Sequence, residues 1–474
     1  MSATAAIATP YRADLPHSQP GALRSWTHWL ALAFVALTFA LSFLVFSEPA
    51  PVDALTIGLI VLLPTVGLVA FNRTLLGFGA LWLVAGAMAI VADTLAHELR
   101  DSLTHTGVSL YLYLATIVIA AFVAKNPEGH TELIFKAWTF AALAAAMAAL
   151  IGYFDLVPRT FDLFTKYGRA SGTFKDPNVL GPFIVGPFLY MVHLNLYRSR
   201  FRALLPLAVA GVLMFAVLLT FSRGAWFNLA LSLMIYGYLT MLTARRNATR
   251  LKVIALITAG VAFTAGMVAL ALASHQISDL LLERASLTQS YDTGPEGRFG
   301  GQEKAVGIIT ENPLGIGALQ FARHYHDEDV HNVYLSMMLN AGWLGGGIYW
   351  IMVALTVVLG LRHCLKDTET RPLFLIAYAA FIGTAAEGFI VDTDHWRHFY
   401  LLMAIIWGLI SASRATAPVP GPAELQPRRP AITRRAPRLA SGYESEMIVK
   451  RPAREVRRGQ VRMVGLLGTQ HSHT

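Results

Sequence analysis

The sequence predicts an all-α polytopic membrane protein with about twelve transmembrane helices and one large outer loop containing short helices. Three observations carry this. Of the 474 residues, 55% are hydrophobic and only 14% are charged, whereas an ordinary soluble domain carries about 25% charged residues. The apolar residues gather into runs close to the roughly 20 residues that span the hydrocarbon of a bilayer. Basic residues collect in alternate connections between those runs, as orientation in a membrane requires.

The first run, near 29–47, follows Arg12 and Arg24. It continues too long, without a small-residue cleavage pattern, to read as a removed signal peptide. It is therefore expected to be a retained span, leaving 1–28 as a cytoplasmic N-terminal segment. Further runs lie near 52–71, 75–93, 108–124, 134–154, 178–197, 203–222, 224–243, 252–273, 333–361, 371–390 and 397–413. With the N-terminus inside, the inner connections are "NRT", "KNPEGHTEL", "RSRFR", "ARRNATRLK" and "RHCLKDTETR", most of them basic. The outer set includes "SEPAP", "DTLAHELRDSLTHTG" and "DTDHWRH", which are acidic or nearly balanced. Both termini are then expected on the cytoplasmic side.

Two outer segments break the charge pattern. Residues 155–177 carry Arg159, Lys166, Arg169 and Lys175, and residues 274–330 form the longest connection. Loops of such length in a compact protein are usually functional or disordered. Here an ordered loop is expected, with "ISDLLLERASL" and "GGQEKAVGIITENP" as short helices.

The net charge of +9 would suggest nucleic acid if it were spread over the chain. Residues 414–474, however, hold 12 Lys/Arg against 4 Asp/Glu and account for +8 of it. A basic tail beside a last span points to a cytoplasmic surface rich in anionic lipid, not to nucleic acid. Its Pro- and Arg-rich composition predicts disorder. Cys364 is the sole cysteine, so an intrachain disulfide and a multi-cysteine metal site are both excluded.

Four basic or imidazole groups come from four separate outer segments: Arg169 in "GRASGTFKDPN", Arg223 in "FSRGAW", Arg298 in "EGRFGG" and His331 in "HNVYL". A helix bundle can gather such segments around one cavity. Arg223 sits between two apolar runs. Its planar fork of donors suits phosphate oxygens, although a helix-end arginine also snorkels to lipid headgroups; the outward location favours the first reading. Arg169 and Lys175 flank "SGTF" before a helix entry at Asp176-Pro177-Asn178, where basic neighbours could contact headgroups or an anionic substrate. Arg298 lies among glycines whose amides could help hold an anion.

The stretch "RHYHDEDVHN" offers His324, His326, Asp327, Asp329 and His331 as nitrogen and oxygen ligands. A His-x-His pair on a loop is weak support for a metal, and Arg223 and Arg298 would repel one. No metal or other cofactor is expected, and "HDED" reads as a solvated rim. His331 stands apart because it precedes Asn332, which can cap the next helix. A neutral imidazole held there can accept a proton from a hydroxyl.

Together these residues resemble the superfamily of O-antigen ligases and O-antigen polymerases of the bacterial inner membrane. The resemblance rests on "RASGTFKDPNVLG", on "SRG" opening a span, and on "GRFGGQEKAVGIITENPLGIGALQF" followed by "HNVYLSMMLNAGWLGG", and it covers roughly 29–413. Lys304 stands where the family often carries an aromatic residue. The resemblance implies a GT-C type glycosyltransferase with its large loop, 274–330, in the periplasm. The donor would be a glycan on undecaprenyl diphosphate, and the acceptor a hydroxyl on lipid A-core for a ligase or on another lipid-linked repeat for a polymerase. The implied roles fall on His331 as the group activating the acceptor, and on Arg169, Arg223 and Arg298 at the diphosphate, with Lys175 beside them. The implied reaction is inverting and metal-independent. A secondary transporter is the rival layout, but neither paired repeats nor midplane ionisable groups are evident.

Overall fold

Every expected apolar run contains a helix in the computed structural model, which describes residues 22–273, 294 and 297–415, but 41–47 and 66–71 of the first two runs lie beyond the helix ends. The helices are α1 (Ala22–Ala40), α2 (Pro51–Thr65), α3 (Arg73–Asp93), α4 (Leu99–Lys125), α5 (Pro127–Tyr153), α7 (Pro177–Tyr197), α8 (Arg200–Leu219), α9 (Arg223–Thr243), α10 (Asn247–Leu272), α13 (Val333–Cys364), α14 (Arg371–Glu387) and α15 (Arg397–Ala415). Shorter elements lie between them: α6 (Thr160–Phe164), the two-residue strands β1 (Thr165–Lys166) and β2 (Arg169–Ala170), α11 (Arg298–Glu311) and α12 (Gln320–His324). Among the described residues eight helices, α3–α5, α7–α10 and α13, are long and apolar enough to cross a membrane. The spans expected near 29–47, 52–71, 371–390 and 397–413 are helices too, but they fall outside that set. The helix expected within 300–313 is α11; "ISDLLLERASL" and the tail from 416 onward lie outside the described residues.

Helix starts follow local chemistry. Asn72, Asp176, Ser222 and Asn332 each accept a backbone N–H from the first turn of α3, α7, α9 and α13, satisfying donors that have no helical partner. Proline occupies the first position of α2, α5 and α7, where no N–H is needed.

Several boundaries differ from the sequence reading, the start of α4 by the most. The stretch "LRDSLTHTG", expected as loop, forms the first turns of α4. Its polar residues find partners there: Ser102 Oγ lies 2.6 Å from Asp93 Oδ1 and 3.0 Å from the Ala318 carbonyl. The Ala318 amide also donates to Asp93 at 3.2 Å. Paired in this way, polar side chains no longer oppose a buried helix.

The connections segregate to two ends of the bundle. At one end Val45 pairs with Phe174, Arg323 bonds Asp101 at 2.8 Å, and the His331 amide donates to Asp392 at 2.9 Å. There too Arg397 grips Asp53 through two bonds of 2.6 and 2.7 Å. At the other end Arg245 meets Asp367, and Asn72 donates to the Ser411 carbonyl. The first end gathers the connections that the charge pattern assigns to the outside, and it is called the site end below.

Packing at the site end depends on close backbone approach. The kink of α13 at Gly342 has φ +65°, and a Cβ there would meet the Leu314 carbonyl carbon at 2.5 Å. The connection after α11 docks against this kink, with Trp343 N donating to the Pro313 carbonyl and Ile316 N to the Leu339 carbonyl, both at 2.8 Å. Deeper in the bundle, Trp82 stacks on Tyr113 at 4.4 Å and Phe78 on Trp407 at 4.6 Å, joining α3, α4 and α15. Without a large hydrophobic difference between lipid and helix surface, such van der Waals fit and interhelical bonding hold membrane helices together.

The Arg397–Asp53 pair ties α15 to α2, and Asp53 also accepts from the Ala50 amide at 2.7 Å and Tyr111 at 3.2 Å. Arg397→Ala leaves that carboxylate without its cation and is expected to destabilise the fold by about 3 kcal/mol. A lower thermal unfolding midpoint in detergent is the readout; an unchanged midpoint would show the pair to be dispensable.

Candidate active site

His331 is the first residue to build from, because the backbone is strained at it. Its φ is +51°, a left-handed conformation uncommon for a side chain with a Cβ and frequent at functional positions. Two contacts hold it there. Its amide donates to Asp392 Oδ2 at 2.9 Å, and its carbonyl accepts from Gln302 Nε2 at 3.5 Å. Asn332 then caps α13. The imidazole has Nδ1 3.8 Å from Asp392 Oδ2 and Nε2 3.6 Å from Glu328 Oε2. Burial, and then the charge of Arg298, hold its pKa below the ordinary histidine value, so the ring is neutral near pH 7.

Asp392 receives two hydrogen bonds, from the His331 amide and from Ser336 Oγ at 2.6 Å. Burial and the neighbouring carboxylates Asp394 and Asp329 nonetheless push its pKa up to about 7. It belongs to "DTDHWRH", which the sequence reading took only as a nearly balanced outer loop. Two cavities open at the site end, and Asp392 lines both. The larger, of about 220 Å³, is walled by Trp138, Phe183, Trp396 and Tyr111, with Lys175, His395 and Arg397 as polar groups. The smaller, of about 90 Å³, is lined by His105, Asp329, Ser336, Asn340 and Asp394.

The expected cluster of basic groups is distributed more widely than one cavity. Arg298 opens α11 and acts electrostatically on His331, so those two are together. Arg223 opens α9, half-buried. Its neighbour Gly224 lies against Glu387, while the Val333 amide bonds the Gly388 carbonyl at 2.9 Å. Arg223 and His331 therefore flank the same end of α14.

Arg169 is buried and committed within the fold, with Nε on the Thr220 carbonyl and Nη2 on Asn178 Oδ1, both at 2.7 Å. It braces the turn that presents Arg223. Lys175 stands apart on the wall of the larger cavity, 3.2 Å from Glu48.

The three histidines of the loop part company. His324 meets Glu98 at 3.1 Å, and His326 packs on Gly301 and Phe321. Only His331 joins Asp392. Asp327, Glu328 and Asp329 are exposed, as a solvated rim would be, but His326, expected on the same rim, is buried.

Residues 207–350 match the family model described as O-antigen ligase. This chain is O-antigen ligase-like. The matched stretch runs from α8 into α13 and holds Arg223, Arg298 and His331, while Arg169 and Lys175 precede it. The ligase-like chain is also 24% identical over 290 residues to the general O-oligosaccharyltransferase of Acinetobacter baylyi, an alignment covering 57% of this chain and 49% of that protein. It thus spans about half the length of that relative. The apolar helices and the family together make it a multi-pass membrane protein.

The two titrating groups make a pH test possible. If the base function needs Asp392 as a carboxylate, activity falls as pH drops through about 7, the value to which burial and its acidic neighbours raise it. In Asp392→Asn the acid limb is set by His331 alone and moves to lower pH, because burial and Arg298 hold the imidazole below the ordinary histidine value. A kcat/KM profile with the same limb in both proteins would remove Asp392 from the site.

Proposed function

We propose that this chain transfers a glycan from undecaprenyl diphosphate to a hydroxyl of lipid A-core, as an O-antigen ligase at the periplasmic face of a bacterial inner membrane. The observation that carries the reading is the pairing of a neutral His331, anchored by Asp392, with Arg298 inside the region matching the ligase family. In this reading all twelve long helices cross the membrane, both termini are cytoplasmic, and the site end faces the periplasm. The basic tail then lies near anionic headgroups.

The acceptor oxygen attacks the anomeric carbon of the sugar, forming the new glycosidic bond as the bond to the diphosphate oxygen breaks. His331 takes the hydroxyl proton, and Asp392 orients the ring and offsets the imidazolium charge. Arg298 and Arg223 meet the negative charge that grows on the departing diphosphate. Arginines fixed in a site of low dielectric favour that transition state over the ground state. Attack opposite the leaving group inverts the anomeric centre. None of these steps requires a metal.

A second acceptor class has support from the similarity to an O-oligosaccharyltransferase. A deletion strain examined by lipopolysaccharide gel separates the outcomes. Loss of all capped core is expected. Core bearing a single repeat would indicate a polymerase, and normal lipopolysaccharide with loss of another O-linked glycan would indicate the second acceptor class. No change in any glycan, together with substrate uptake by proteoliposomes lacking donor lipid, would favour a transporter.

A further inference from the structure

We propose that His105, Asp394 and His395 form a binding site for one divalent transition-metal ion, of the zinc, cobalt or manganese class, beside the smaller cavity. The residues come from α4 and from the connection between α14 and α15. One ligand atom from each lies within 4.8 Å of the others. His105 Nε2 and Asp394 Oδ2 are 3.7 Å apart, too far for a hydrogen bond. Two ligands bound at ~2.1 Å to one ion stand roughly 3–3.6 Å apart, so a small adjustment would bring both onto a shared cation.

Three further features distinguish the group from an ordinary polar contact. Asp394 is only 13% exposed, yet among the described residues its carboxylate receives no hydrogen bond. A carboxylate so placed is open to a cation. The His105 and His395 rings lie with centroids 4.1 Å apart, close enough for one nitrogen of each to converge on a single ion. Ser109 Oγ lies 3.0 Å from His395 Nε2, fixing that ring and leaving Nδ1 as its ligand atom. Outer hydrogen bonds of this kind commonly orient metal-binding imidazoles.

The surroundings suit a cation. Asp329 and Asp392 face the smaller cavity with Asp394, and Ser336 and Asn340 add neutral oxygens for bound water. Arg397, the nearby positive charge, is occupied by Asp53. Two imidazoles and one carboxylate with open positions fit borderline divalent ions, whereas magnesium and calcium prefer oxygen alone. The ion would tie the Asp392-bearing connection to α4. Its ligands are residues to which the transfer reading gives no role, so ion binding does not depend on that reading.

The test uses purified full-length protein carrying His471→Ala and His473→Ala, so that tail imidazoles do not contribute. The protein is stripped with chelator, loaded with Zn²⁺ and desalted, and retained metal is measured by mass spectrometry. The parent is expected to keep one ion per chain. Asp394→Asn and His105→Ala each lose it, Ser109→Ala binds about tenfold more weakly, and His324→Ala, which removes the histidine beside Glu98, retains it. Visible absorption of the Co²⁺-loaded parent provides a readout independent of any variant's folding. No ion on the parent by either method, full retention in Asp394→Asn, or loss on His324→Ala alone would overturn the assignment. Transfer activity is not the readout, so failure here leaves the ligase reading standing.

Discussion

His331→Ala lowers transfer from a lipid-linked donor by about a thousandfold, within the range that general base catalysis supplies. The expectation rests on how much of the site end is arranged around this residue. Its amide is tied to Asp392, its carbonyl to Gln302, and its successor caps α13. Burial and Arg298 keep the ring neutral near pH 7, the state a base requires. His331→Gln retains a polar side chain of similar length but takes no proton, so it is expected to be equally slow. His331→Gly separates chemistry from folding. Glycine accepts φ +51° without the Cβ penalty, so this variant should be at least as stable as the alanine form and equally inactive. The assay is single-turnover transfer by purified protein whose insertion and monodispersity have been checked. A rate near that of the parent for any of the three would remove His331 as the base.

What the sequence revealed and what it hid follow from one physical distinction. A bilayer demands long apolar helices, so every span leaves a run that can be read directly, and α3–α5, α7–α10 and α13 lie where those runs are. His331 was legible because it abuts a capping asparagine and an apolar run. Its partner was not. "DTDHWRH" looks like a solvated connection, and its burial depends on Ser109, Ser336 and Asp53, which are distant in sequence. The first turns of α4 were hidden for the same reason, since Ser102 is tolerable inside only because Asp93 and Ala318 receive it. Arg169 reads in sequence as one more phosphate-binding arginine. In the fold it bonds Thr220 and Asn178. Charge shows that a residue is expensive to bury, but not whether substrate or backbone satisfies it.

That distinction governs the second large effect. Arg298→Gln is expected to slow transfer by about a hundredfold, near 3 kcal/mol, the usual loss when one donor to developing charge is removed. Arg298 is the first residue of a 14-residue helix whose cap, Gly297, contributes no side chain. Its backbone therefore begins at the positive end of the helix dipole, an arrangement suited to an anion. The substitution carries a second signature. The Arg298 charge lowers the His331 pKa, so removing it lets that pKa rise, and the neutral base is lost at a higher pH than before. The shift is best read in the Asp392→Asn background, where His331 alone sets the acid limb. Arg298→Lys restores the charge, so the limb returns, but the lost fork leaves the rate low. Arg169→Gln gives the opposite pattern if Arg169 is a brace: a lower unfolding midpoint, and no change in the limb. An Arg298 variant that loses stability and leaves the pH limb in place would make Arg298 a second brace and leave Arg223 to hold the diphosphate.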